Sequence, residues 1–228
     1  ADGCWAASFK EIEGQTWECV TEALQAAPFF DGSAIRQTLA SLPERSIVFV
    51  GNSMPIRHVD TFDQPSTRSI TFFGNRGASG IDGNVSTALG VAAATGQPVT
   101  AILGDITFYH DMNGLLAVGQ HDLQNITFVV VNNDGGGIFY RLPVAAHELP
   151  FTDLFLTPHG LTFEHAAAMY GLRYATVADA AELEAELKVD AGTARIIEIR
   201  TNSAADYSQM RAISTAVTTG LETIFTQS

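Results

Sequence analysis

VTAILGDITFYHDMNGLLAVGQHDLQNITFVVVNNDGGG, residues 99–137, decides the fold. Two apolar, β-branched runs (99–103 and 126–131) bracket a helical pattern over 109–119. The runs are too short and too continuously apolar for half-exposed hairpin strands, and they suit strands buried on both faces of a parallel sheet. Comparable runs occur at 46–50 and 69–73, with weaker ones at 173–176 and 195–199. Helical patterns fall at 17–27, 33–42, 56–62, 84–95, 163–170, 179–187 and 205–225. Strand alternating with helix implies right-handed crossovers and helices on both sides of the sheet. The expected architecture is therefore α/β, a doubly wound, mainly parallel six-stranded sheet. The stretch 132–160 reads as a long connection with little periodicity, and connections of that length in compact domains are usually functional or mobile.

The 228 residues suffice for one large domain with part of a second, and 46% hydrophobic content against 16% charge argues against disorder. No uncharged apolar run is long enough for a membrane span. A net charge of -13 repels nucleic acid and anionic lipid, so neither is an expected partner. The two cysteines, Cys4 and Cys19, are too few for a disulfide framework and lack zinc-site spacing, which fits a reducing cytoplasm. The opening ADGCWAASFKEIEG has no initiator Met and no signal-peptide pattern, and reads as cut from a longer polypeptide.

Ligands of open α/β sheets bind beyond the carboxyl ends of the strands. Four such ends stand out: Gly51-Asn52-Ser53, GNRGASGIDG over 74–83, Gly104-Asp105, and Asn132-Asn133 followed by Asp134 and three glycines. Asp105 and Asn133 follow consecutive strands joined by one helix, so a right-handed crossover sets a carboxylate and an amide oxygen side by side. Taken singly, each is an ordinary turn. Together they form an oxygen-only ligand pair suited to a hard divalent ion such as Mg²⁺, which completes its shell with water and phosphate oxygens. A phosphate-bearing cofactor is the expectation. The glycines after Asn133 permit a tight turn and offer a carbonyl, most plausibly that of Gly135, as a third ligand.

This pair resembles the signature of thiamine diphosphate-dependent enzymes, Gly-Asp-Gly followed at a distance by Asn-Asn. Ile106 replaces the final glycine, a departure that fits one branch. GNS at 51–53, NRGASGIDG at 75–83, GDITFYHD at 104–111, NNDGGGIF at 132–139 and FEHAAAMYGL at 163–172 are similar to the SEPHCHC synthase family of menaquinone biosynthesis. The resemblance spans about 47–199 and is weak before Ser33. It implies that 33–228 is a C-terminal diphosphate-binding domain and that 1–32 is the tail of a preceding central domain or a linker.

By that resemblance Asp105, Asn133 and the Gly135 carbonyl hold Mg²⁺, with Mn²⁺ as an alternative, against thiamine diphosphate. Asn52, Ser53, Ser79, Gly80, Ile81, Gly104, Ile106, Thr107, Gly137 and Ile138 complete the implied cofactor site. Ile81 would sit under the cofactor and force its rings into the bent form, though ordinary core packing also accounts for an isoleucine. The implied reaction decarboxylates 2-oxoglutarate and adds the resulting carbanion to isochorismate, a carboligase (transferase) activity. Both substrates are carboxylates, and Arg57 and Arg76 match the substrate-contacting arginines. Arg57, at a first helical turn, also suits a solvated surface position. Ile138, Phe139 and Leu142 match an apolar wall that keeps water from the reacting carbon, and they equally suit anchoring of the long loop. His110 and His165 lie near motifs without metal-ligand spacing and receive no role.

A dinucleotide fingerprint, a P-loop and a Gly-x-Ser-x-Gly elbow are all absent from the sequence. Another thiamine diphosphate-dependent carboligase or 2-oxo acid decarboxylase, resembling acetolactate synthase, is the alternative enzyme. A non-catalytic module is the alternative class, because the family's activating glutamate belongs to a pyrimidine-binding domain outside this chain. The acidic residues nearest the motifs besides Asp105 are Asp82, Asp111 and Asp134, and all three are expected toward the diphosphate end. The fragment alone is thus expected to be inactive, and the full-length family protein to be a homodimer or homotetramer.

Overall fold

Six short strands pair in parallel in the order β2-β1-β3-β4-β6-β5. The computed structural model describes residues 3–190 and 192–226, with the side chains of residues 4, 149 and 223–226 outside the described set. In chain order the elements are α1 (Gly3–Ala26), α2 (Asp31–Ser41), β1 (Ile47–Val50), α3 (Met54–Phe62), β2 (Thr71–Phe73), α4 (Asn84–Thr95), β3 (Val99–Gly104) and α5 (Asp105–Asp111). There follow α6 (Leu116–Gln120), β4 (Ile126–Asn132), α7 (Glu148–Phe151), α8 (Glu164–Tyr170), β5 (Arg173–Val177), α9 (Ala180–Lys188), β6 (Arg195–Arg200) and α10 (Ser203–Thr226). The doubly wound expectation holds, with every pairing parallel.

Strand alternation splits the core in two. Phe49, Ala101, Leu103, Phe128, Val130 and Ile196 pack with α4, α5, α6 and α8 residues on one face. Val48, Val50, Ile102, Val129, Val131 and Ile197 pack with α2, α3 and α9 residues on the other. Because both faces are covered, the central strands carry no polar alternation. Beyond the second face, Val20 of α1, Phe30, Phe62 of α3 and Ile213 of α10 form a third cluster. The segment before Ser33 is therefore packed against the sheet domain, with Phe30 and Asp31 both buried.

Three expectations need correction. The strand at 71–73 is an edge, and all three of its residues are exposed, so it belongs to the sheet without being buried in it. The helix expected over 109–119 is broken into α5, a 3-10 turn at Met112–Leu115 and α6. The break lies where Asp111 accepts hydrogen bonds from the Ser86 backbone N–H (2.7 Å) and hydroxyl (3.1 Å), and where a Cβ on Gly114 would meet Ser86 Oγ at 2.5 Å. The 132–160 connection is not structureless. It holds 3-10 turns at Gly137–Arg141 and Pro143–Ala146, then α7 and a π-turn at Thr152–Leu156. Aromatic contacts replace helical periodicity there: Phe139 meets Phe155 edge-on at 5.4 Å, and Tyr140 meets Phe151 at 5.0 Å.

The chain leaves β1 toward β2 on one side and returns to β3 on the other. That reversal opens a crevice at the carboxyl ends of β1 and β3. Gly104 pairs with Val131, so Asp105 and the Asn132-Asn133 pair leave the sheet at one level. Phe108, three residues after Asp105, is fully buried against Phe128 and Phe163 at 5.8 and 4.9 Å, which seats α5 on the sheet. Phe108→Ala is expected to lower unfolding free energy by ~3–5 kcal/mol in urea titration, the range for a large aromatic removed from a closed core.

Candidate cofactor and metal site

Asp105 is the first residue of α5 and is only 3% exposed. Its Oδ1 accepts the N–H of Ile106 at 2.7 Å, and its Oδ2 accepts the N–H of Gly135 at 2.9 Å. His159 Nε2 lies 3.2 Å from the same Oδ2. The Leu161 N–H donates to His159 Nδ1 at 2.9 Å, so the neutral ring carries its hydrogen on Nε2 and donates it to Asp105. That bond to the carboxylate also holds the His159 pKa above its ordinary value.

Asn133 follows β4 directly, and its Nδ2 donates to Asp31 Oδ2 at 2.6 Å within the buried interior. Its Oδ1 is buried without a hydrogen-bond partner. A buried acceptor left unpaired costs about 1–3 kcal/mol, and beside a carboxylate it suits a hard cation. The Gly135 carbonyl accepts the Gly137 N–H at 3.0 Å and keeps a second lone pair. These oxygens fit the divalent ion that the sequence implies.

The turn that carries them is sterically constrained. Asp134 has φ 64° and Gly135 φ 138°. A Cβ on Gly135 would stand 2.2 Å from the Leu156 carbonyl oxygen, which itself accepts the Gly136 N–H at 2.7 Å. Asp134 Oδ1 accepts the N–H groups of His159 (3.0 Å) and Gly160 (2.7 Å), and the Gly160 bond chiefly holds its pKa below the usual value. Farther back, Glu198 accepts from Asn132 Nδ2 (2.7 Å), the Phe163 N–H (2.8 Å) and the Tyr174 hydroxyl (2.9 Å). Burial and this carboxylate push the Tyr174 pKa up to about 12.

On the β1 side, Asn52 is buried and ties the glycine-rich run to the strand end. Its Nδ2 donates to the carbonyls of Gly80 (2.6 Å) and Asn75 (3.1 Å), while its Oδ1 accepts from Arg76 Nη1 (2.8 Å). Ser53 opens α3 at φ 72° and ψ -128°, a strained conformation for a residue with a Cβ. Of the residues predicted from sequence, Ser53, Ile81, Gly104, Asp105, Ile106, Thr107, Asn133, Gly135, Gly137, Ile138 and Phe139 line one cleft. Asn52, Ser79 and Gly80 are outside its lining. So are Arg57, which donates to the Ser53 carbonyl at 2.6 Å, Arg76, and Leu142, which is 48% exposed.

Residues 56–199 match the family described as thiamine pyrophosphate enzyme, C-terminal TPP binding domain. The chain belongs to that family. It is 52% identical over 214 residues to the 2-succinyl-5-enolpyruvyl-6-hydroxy-3-cyclohexene-1-carboxylate synthase of Roseiflexus sp., covering 92% of this chain and 36% of the relative. The enzyme of the same name from Roseiflexus castenholzii is 50% identical, with the same coverage. The chain thus spans little more than a third of the length of these relatives. Its backbone also follows benzoylformate decarboxylase from Polynucleobacter necessarius, at a TM-score of 0.62 and 18% identity over 77% of this chain and 34% of that one, a likeness of fold.

Within this TPP-binding domain, sequence reasoning missed two titratable residues that line the cleft. Asp31 and His58 line it, whereas Asp82, Asp111 and Asp134, the acidic groups expected nearest the motifs, do not. His159 reaches Asp105, while His110 and His165 are exposed. His58 Nε2 lies 3.4 Å from Asp206 Oδ2, within ion-pair range although without hydrogen-bond geometry. One ligand atom from each of Asp31, His58 and Asp206 falls within 4.8 Å of the others, a spacing at which they could ligate one ion. Burial, and then the Asp206 charge, raise the Asp31 pKa to about 7. An aspartate opening a helix reads as a surface cap in sequence, so nothing marked Asp31. The glycine turn gives a direct test: Gly135→Ala is expected to lose cofactor affinity and several degrees of melting temperature together, because the collision is with backbone and the φ disfavours any side chain.

Proposed function

We propose that this domain binds thiamine diphosphate through a divalent cation held by Asp105, Asn133 and the Gly135 carbonyl, Mg²⁺ with Mn²⁺ as a substitute. The observation that supports it most is the unpartnered Asn133 Oδ1 in the same cleft as the nearly buried Asp105 carboxylate. In the full-length protein the domain serves as the cofactor-binding part of a SEPHCHC synthase, a carboligase that joins 2-oxoglutarate, after loss of CO₂, to isochorismate. The relatives' names support this reading.

Bound thiamine diphosphate supplies the nucleophilic carbon and electron sink for decarboxylation and carbon–carbon bond formation. The chain's own residues provide the setting. Ile81 offers an apolar support for the cofactor, and Ile138 and Phe139 line the cleft with hydrocarbon that excludes water. Leu142 extends that surface outward when a partner closes over it. Arg76, hydrogen-bonded to Asn52, and Arg57, hydrogen-bonded to the Ser53 carbonyl, lie outside the cleft lining and would offer guanidinium groups to substrate carboxylates against the acidic charge of the chain. Residues 1–32 are the tail of a preceding central domain or a linker. The pyrimidine-binding domain of the family chain supplies the activating carboxylate, so the 228 residues alone are inactive, and the full-length enzyme works in the cytoplasm as a homodimer or homotetramer.

Asp105→Ala is expected to abolish Mg²⁺-dependent thiamine diphosphate binding in calorimetry while circular dichroism stays native. Unchanged affinity would sink the metal assignment. Arg76→Ala in the full-length enzyme is expected to raise the KM for a carboxylate substrate and spare cofactor affinity. A lost charge-assisted pair costs ~1.5–3 kcal/mol, roughly ten- to hundredfold. A fall in cofactor affinity with KM unchanged would move Arg76 to the diphosphate.

A further inference from the structure

We propose that Asp31 is a positioning residue for the cation site, holding the Asn133 amide so that its oxygen, and not its nitrogen, is the free ligand. The inference rests on the reading of Asn133 as a cation ligand. An amide group turned by half a rotation keeps its shape and exchanges its acceptor for two donors, and only the oxygen can ligate a cation. Left to itself, Asn133 has no covalent reason to prefer one orientation.

Asp31 supplies that reason. Its Oδ2 lies 2.6 Å from Asn133 Nδ2, a short contact between a carboxyl oxygen and an N–H donor. With Asp31 ionised, the reversed amide would set two oxygens against each other at the same place. Asp31 has little room to swing away. It is 1% exposed, Phe30 before it is buried, and a Cβ on Gly32 after it would stand 2.3 Å from the Phe62 ring. Asn133 is confined on its other side by Gly137, where a Cβ would come within 3.2 Å of Nδ2. Oδ1 of Asn133 is left as the buried atom without a partner.

Fold stability does not account for this arrangement. Asp31 Oδ1 is also buried without a hydrogen-bond partner, and a carboxyl oxygen of Asp206 lies within 4.8 Å of one of Asp31. A buried acidic group with so few partners weakens a fold that an apolar residue would strengthen. Its use is to be sought at the residue it touches.

The test compares Asp31→Ala with Asp31→Asn in the 228-residue chain. The asparagine variant retains an acceptor oxygen for Asn133, and the alanine variant does not. With thiamine diphosphate saturating, Asp31→Ala should weaken Mn²⁺ binding ten- to hundredfold by calorimetry, the range for removing a group that orients a metal ligand. Asp31→Asn, whose amide can offer Asn133 either an acceptor or a donor, should fall between wild type and Asp31→Ala. Equal affinities for all three chains, or equal losses in both variants, overturn the proposal. A second measurement stands apart from metal and from folding of the alanine variant. In the metal-free wild type and in Asp31→Asn, the Asn133 side-chain amide protons, assigned by their loss in Asn133→Asp, should exchange at least tenfold more slowly than surface amides. Exchange at the surface rate overturns the clamp. Absence of Mn²⁺ binding in the wild type would overturn the cation reading, and the amide exchange would still decide whether Asp31 fixes Asn133.

Discussion

The parallel pairing of β3 with β4 is the constraint on which the cleft depends. Matching Gly104 to Val131 brings Asp105 level with the residues that leave β4, and the bond from the Gly135 N–H to Asp105 Oδ2 closes the gap between the two strand ends. A shift of one residue in that register would turn Asp105 to the other side of the sheet edge and part the pair. The register is in turn secured by hydrocarbon on both faces. Phe128 and Val130 face one helical layer while Val129 and Val131 face the other, so a slip would exchange the two sets.

Around that junction the chain spends its polar groups on geometry. Asp134 holds His159 and Gly160, Glu198 holds Asn132 and the Phe163 N–H, and Asn52 holds the glycine-rich run. Each is a side chain tying a loop to a strand end, which gives irregular backbone the fixed placement that a sheet gives its strands. Asp105, Asp31, His58 and Asp206 gather at this one end, and three of the four are carboxyl groups. Such a concentration of acidic groups in the interior favours a bound cation and, through it, an anionic cofactor.

The sequence made much of this legible because its signals are local. Continuous apolar runs report strands covered on both faces, and the residues just beyond them report the strand ends, so Asp105 and Asn133 could be named from position, while the other cleft members from Ser53 to Phe139 came from the family resemblance. The edge position of β2 was not legible, since Thr71, Phe72 and Phe73 carry the same β-forming residues as a central strand. The broken helix after Asp105 was also hidden: Asp111 and Gly114 look like ordinary helix and turn residues until Ser86 is placed beside them.

By itself the sequence determined the fold class, and it pointed to Asp105 and Asn133 at the ends of β3 and β4 as a proposed pair of oxygen donors. Those depend on spacing of a few residues and on which side chains prefer water. Tertiary structure alone decided that Asp31, 102 positions away, grips Asn133, and that His159 reaches Asp105 across 54 positions. Neither contact leaves a periodic trace, because each pairs one polar residue with one other through space. Burial gives those contacts their strength, and burial is settled only when the layers close.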